Sequence, residues 1–168
     1  MTPTDTLPAT LLWLALLSCS GCFFAGPRAR VPSTEVVERT EQRIERGRYL
    51  VENVSACLYC HSQHDWSKYT GPVKRGTEGG GGICLTPEYD VNGHVCTQNL
   101  TSHEDGLGRW TDGEISRAIR EGVGRDGHAM LPWMPYMYYR AMSDEDTSAV
   151  VAYLRTLAPI AGKSEPVQ

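Results

Sequence analysis

Phenylalanine is nearly missing from this 168-residue chain: there are two, Phe23 and Phe24, side by side near its start. The remainder reads as one small domain of about 110 residues, forty-odd of them without periodicity, so side chains alone would give it a thin core. Basic clusters are missing as well. None is denser than Pro72-Val73-Lys74-Arg75-Gly76, and with a net charge of -4 this excludes a nucleic-acid binder. No run alternates apolar and polar residues long enough to make a strand of any length. Gly79 to Gly82 lack a following Lys-Ser or Lys-Thr, which excludes a phosphate-binding loop, and Ser, His and Asp assemble into no recognisable triad. The opening Met1 to Thr6 has no lysine or arginine.

What is present falls into four parts. Residues 1–26 contain the apolar run Leu7 to Phe24, about the length of a secretory signal's core, so export is expected. Within it Leu16-Leu17-Ser18-Cys19 resembles a bacterial lipobox, which makes Cys19 the expected lipid-bearing first residue of the mature chain; Cys22 is the alternative lipid site, and a plain cleaved signal or an uncleaved span are the alternative leaders. Residues 27–44 read as a linker and helical extension, with Ser33 or Thr34 as N-cap. Residues 45–158 form the domain, and 159–168 a tail.

Inside the domain, helical order surrounds loops. A helix leads up to Cys57, and Ser62 to Gly108 is rich in Gly, Pro, Asn and Asp. Thr111 and Glu114 then make a capping box before the stripe Ile115, Ala118, Ile119, with Gly122 and Gly124 as the stop. Ser143 with Asp146 starts a last helix carrying Ala149, Val150, Tyr153, Leu154 and Leu157, and Pro159 closes it. The expected class is all-α: three or more helices and long loops.

The cysteines supply what the core lacks. Cys57-Leu58-Tyr59-Cys60-His61 is the C-x-x-C-H pattern of covalent haem attachment, in which two thiols add to vinyl groups and the adjacent imidazole becomes the proximal iron ligand. A thioredoxin-like pair needs a preceding strand, and a zinc site needs a second close pair; helix and loops stand here instead. One haem c is therefore expected, filling the centre of the domain. Cys84 and Cys96 remain, and in an oxidising compartment they are expected to form a disulfide that closes a loop of about 13 residues, stabilising by about 3 kcal/mol; metal binding is the alternative. For the other axial position the candidates are Met130, Met134, Met137, Met142 and the remaining histidines, or an open site. Met134 leads, because Pro132 and Pro135 restrict the loop around it and a neutral thioether favours ferrous iron.

The segments from Arg46 to Gly82, Asn99 to Thr101, Gly108 to Tyr139 and Met142 to Leu157 resemble the c-type cytochromes related to the haem subunits of membrane-bound alcohol and sugar-acid dehydrogenases. The resemblance covers about two thirds of the chain, and Met134-Pro135-Tyr136 is distinctive. It implies the cytochrome c fold around one covalent haem, with His61 and Met134 as axial ligands. By the same resemblance the carbonyl of Pro72 would accept the imidazole N–H of His61, and Gly47 and Tyr49 would let the first helix cross the last near Tyr153. Those subunits often carry three haem motifs where this chain has one, and Cys84 to Cys96 looks like an insertion. Trp66, Arg75, Asn99 and Trp110 are candidates for the haem propionates, with ordinary loop packing as the alternative.

The expected function is electron transfer without catalysis: a bacterial periplasmic or envelope protein, tethered to the membrane by lipid, passing single electrons between redox partners such as a dehydrogenase or quinol oxidoreductase and an oxidase. The alternative is a haem enzyme or gas sensor whose sixth iron position is open or displaceable.

Overall fold

The computed structural model describes residues 30–162. The expected leader, with Cys19 and Cys22, and residues 163–168 lie outside the described residues, and the fold is that of the unit beginning at Val31. Among the described residues there are five α-helices: α1 (Glu41–Tyr49), α2 (Cys57–Cys60), α3 (Asp112–Glu121), α4 (Tyr136–Tyr139) and α5 (Asp144–Leu154). Two strands, β1 (Cys84–Leu85) and β2 (Val95–Cys96), pair antiparallel with Cys84 opposite Cys96. This corrects the expectation that no strand forms. A two-residue ladder is invisible to periodicity, and the covalent bond between its paired residues supplies what its length cannot.

The first helix also begins later than its polar residues suggested. Ser33 caps nothing helical: its Oγ accepts from the Glu35 N–H at 3.1 Å, and the Val37 N–H donates to Asp112 Oδ2 at 2.9 Å. The segment before Thr40 is thus tied to the start of α3, so close that a Cβ on Gly113 would lie 1.8 Å from the Ser33 carbonyl oxygen. Thr40 is the cap, its side chain accepting from Arg43. A π-helical stretch, Leu50–Val54, continues α1 and delivers the chain to α2.

The frame is the crossing of α1 and α5. Gly47 is buried at that crossing because a side chain has no room: a Cβ there would meet the Ala149 carbonyl oxygen at 1.9 Å and Tyr153 Cβ at 2.8 Å. An Arg46–Asp146 pair at 2.8 Å and a Tyr153 hydroxyl donating to Glu52 flank the crossing. Leu50, Val51, Leu58, Leu107, Ile115, Ile119, Val150, Val151 and Leu154 form the packed core on this side.

α3 joins the frame through its ends. Thr111 and Glu114 make the capping box reciprocally, and Gly122 ends the helix at φ +65°, a left-handed conformation that suits glycine. Asp112 meets Arg155 in a buried pair, with Oδ1 accepting from Nε at 2.8 Å and side-chain exposures of 5% and 12%. Arg155 also donates to the carbonyls of Leu107 at 2.8 Å and Trp110 at 2.5 Å, so each of its three guanidinium nitrogens has an acceptor. Asn99 donates to the carbonyls of Ile160 and Gly162, which pins the chain after α5 against the Asn99-Leu100-Thr101 turn.

Candidate haem-binding site

Ala56 adopts a left-handed conformation (φ 48°), which breaks the chain direction after the π-helical stretch and starts α2. One helical turn then places Cys57 and Cys60 three residues apart, with Leu58 turned into the core and Tyr59 outward. Both cysteines are free thiols. Burial pushes the Cys57 thiol up to about 11 and raises that of Cys60 as well, so both are neutral thiols at physiological pH rather than thiolates.

His61 closes the turn, its N–H donating to the Cys57 carbonyl at 3.0 Å and its carbonyl accepting from Gly81 at 2.8 Å. Its Nδ1 lies 2.7 Å from the carbonyl oxygen of Gln98. An Nδ1–H donated there leaves Nε2 as the lone-pair nitrogen, the tautomer a metal ligand needs. Burial lowers the tendency of the ring to protonate, against the opposing pull of that carbonyl.

The partner of His61 is thus Gln98, not Pro72. The Pro72 carbonyl accepts from the Asp65 N–H at 2.9 Å, and the turn around Gly71 is engaged elsewhere: the Trp66 ring sits where a Gly71 side chain would be, and stacks on His64 at 4.9 Å. Sequence reasoning missed Gln98 because a backbone carbonyl leaves no residue-type signal. Its place directly before Asn99-Leu100-Thr101 was the available hint.

Met134 is half-buried in the loop between α3 and α4, its N–H donating to Leu131 at 3.0 Å and its carbonyl accepting from Tyr136 at 2.7 Å. Among the alternatives, Met142 packs against the core, Met137 is exposed on α4, and the Met130 N–H donates to Gly122 at 2.7 Å. Cys84 and Cys96 are joined in a disulfide with an S–S distance of 2.04 Å. Of the propionate candidates, Asn99 spends its amide on Ile160 and Gly162 and its Oδ1 on Thr101, which is loop packing; Trp110 lines a cavity of about 280 Å³ together with Arg109, Arg125 and Gln98.

The donor set fits a haem. Among the described residues no three His, Cys, Asp or Glu side chains gather to hold a metal ion by themselves, so an iron on His61 needs a ring to supply its other ligands. Two unpaired thiols one helical turn apart match two vinyl additions. Comparison with known proteins decides the family: residues 44–158 match the cytochrome c family model. The chain belongs to the cytochrome c family. Family membership implies covalently bound haem c. The chain is similar to the fructose dehydrogenase cytochrome subunit of Gluconobacter japonicus, 30% identical over 169 residues, covering 96% of this chain and 30% of that protein. It is similar also to the gluconate 2-dehydrogenase cytochrome c subunit of Pantoea cypripedii, 32% identical over 120 residues, covering 70% of this chain and 24% of that protein. A third relative is the cytochrome c subunit of the quinone-dependent alcohol dehydrogenase of Gluconobacter oxydans, 31% identical over 123 residues, covering 72% of this chain and 23% of that protein. This cytochrome therefore spans less than a third of the length of these relatives.

Proposed function

We propose that this cytochrome carries single electrons, without binding a substrate, between a dehydrogenase or quinol oxidoreductase and an acceptor such as an oxidase. The observation that supports it most is the pair of free thiols, Cys57 and Cys60, on one helical turn against His61, whose Nδ1 is directed at a carbonyl. One haem c on these residues supplies a one-electron Fe(III)/Fe(II) couple. Cys57 and Cys60 would fix the ring covalently, the Gln98 carbonyl would orient the His61 imidazole, and Met134 would supply a second ligand from its proline-bounded loop. The names of the relatives, cytochrome subunits of fructose and gluconate dehydrogenases, support a dehydrogenase as electron donor. Export to the periplasm and a lipid on Cys19 complete the reading, since a tether would keep a small carrier near membrane-bound partners.

Expression with a haem-attachment system tests this. The purified protein is expected to carry one haem per chain that survives denaturation, to cycle reversibly by one electron, and to leave carbon monoxide unbound when reduced. Rapid carbon monoxide binding by the wild type would replace the carrier with an open-site enzyme or gas sensor.

A further inference from the structure

The Cys84–Cys96 hairpin carries none of the proposed haem-binding residues, yet its base leads directly into Gln98 beside His61, and its tip lines one cavity with the residues before Met134. At its base, the Thr97 N–H donates to the Ile83 carbonyl at 2.8 Å, and the Thr97 hydroxyl accepts from Gly82 and Ile83 at 3.2 and 3.1 Å. Gln98 follows at once, its side-chain amide donating to the Cys96 carbonyl at 3.3 Å and its own carbonyl 2.7 Å from His61 Nδ1. At the tip, Pro87–Tyr89 forms a single 3-10 turn that ends at Asp90 in a left-handed conformation. Beyond it Val91 is buried, 8% exposed. Asp90, Val91 and Asn92 share a cavity of about 470 Å³ with Leu131, Pro132 and Trp133, the three residues that precede Met134.

We infer that the disulfide-closed hairpin is a positioning brace for both axial ligands. It holds the Gln98 carbonyl on the His61 imidazole at its base and backs the Leu131–Trp133 segment at its tip. This rests on the assignment of His61 and Met134 as ligands. The two ends differ in strength: the base is fixed by hydrogen bonds between Gly82–Ile83 and Thr97, independent of the disulfide, whereas the tip faces the methionine loop across open space. Opening the cross-link is therefore felt first at the Met134 sulfur. The iron–sulfur bond then yields more readily to an added ligand, while the thioethers to Cys57 and Cys60 keep the haem attached.

The test uses ferric holoprotein of the wild type, of Cys84→Ser/Cys96→Ser and of Val91→Ser, which keeps the disulfide and disturbs only the tip. Three quantities are read: the far-red sulfur-to-iron band, the affinity for added imidazole, and the melting temperature. In the wild type the band is present. In the double variant it weakens and imidazole binds at least tenfold more tightly; Val91→Ser moves both in the same direction by less. A disulfide that merely stabilises the fold would lower the melting temperature of the double variant and leave band and imidazole affinity at wild-type values, which overturns the brace. Should the double variant fail to fold, Val91→Ser with wild-type band and affinity overturns it alone. Absence of the band from the wild type itself is a different failure, that of the Met134 assignment.

Discussion

The turn that carries His61 and the loop that carries Met134 are built on opposite plans. Around His61 the hydrogen bonds reach far along the chain: its carbonyl accepts from Gly81, its imidazole faces Gln98, and the buried Ser62 hydroxyl accepts from Gly79 at 3.0 Å. Leu58, one turn earlier, sits in the core with Val51. Around Met134 the bonds stay local, from Met134 to Leu131, Tyr136 to Met134 and Tyr138 to Pro135, while Leu131, Trp133 and Met137 remain exposed. A ligand held by distant parts of the fold is lost when the fold is lost. One held by local turns and prolines, as the proposed second ligand Met134 is, can be displaced while the fold stands, which makes the methionine side the adjustable one.

The largest effect that would break this contrast is expected at His61. His61→Ala should nearly abolish the yield of stable holoprotein, whereas Met134→Ala should be recovered with haem attached; the haem-to-protein absorbance ratio after purification measures both. Equal losses at the two positions would remove the distinction.

Next comes the frame that carries the His61 turn. Gly47→Ala places a methyl group 1.9 Å from the Ala149 carbonyl oxygen, so the α1–α5 crossing must open. A loss of about 3 kcal/mol is expected in denaturant unfolding of the holoprotein. The far-red band should survive in the fraction still folded, because the methionine loop does not depend on that crossing for its local bonds.

The smallest effect falls on a link between the two regions. The Tyr139 hydroxyl, just past the methionine loop, donates to the Ser55 carbonyl at 2.9 Å, and burial raises its pKa to about 12, followed by the nearby Cys57 and Cys60. Tyr139→Phe should cost about 1 kcal/mol in the same unfolding experiment. No change in stability would mean that the two regions are not coupled through this bond.

How much of this could be read from the sequence depended on whether side chains or backbone carried the information. The α3 capping box, the Gly122 stop and the Ser143 cap were legible because each uses a residue type with one strong local preference. The Cys57-Leu58-Tyr59-Cys60-His61 spacing was legible as a haem-attachment pattern because covalent chemistry would fix it. The later start of α1 was not, since Ser33 and Thr34 satisfy every local rule for an N-cap and are overruled by the distant Asp112, which takes the Val37 N–H. Gln98 was hidden for a related reason: any residue can offer a carbonyl, and only the fold decides which one arrives. Gly47 lies between: the family resemblance already placed it where the first helix crosses the last, and its contact with Ala149 supplies the physical reason.

The central claim, that His61 and Met134 close the iron of one covalent haem, is tested most directly by the ferric absorption spectrum of the wild type beside Met134→Ala. The account predicts a weak far-red sulfur-to-iron band in the wild type and its loss in the variant. A reduction potential lower by on the order of 0.1 V should accompany that loss, a fraction of the range that axial ligands span. A wild type without the band, or a variant that keeps it, would contradict the account.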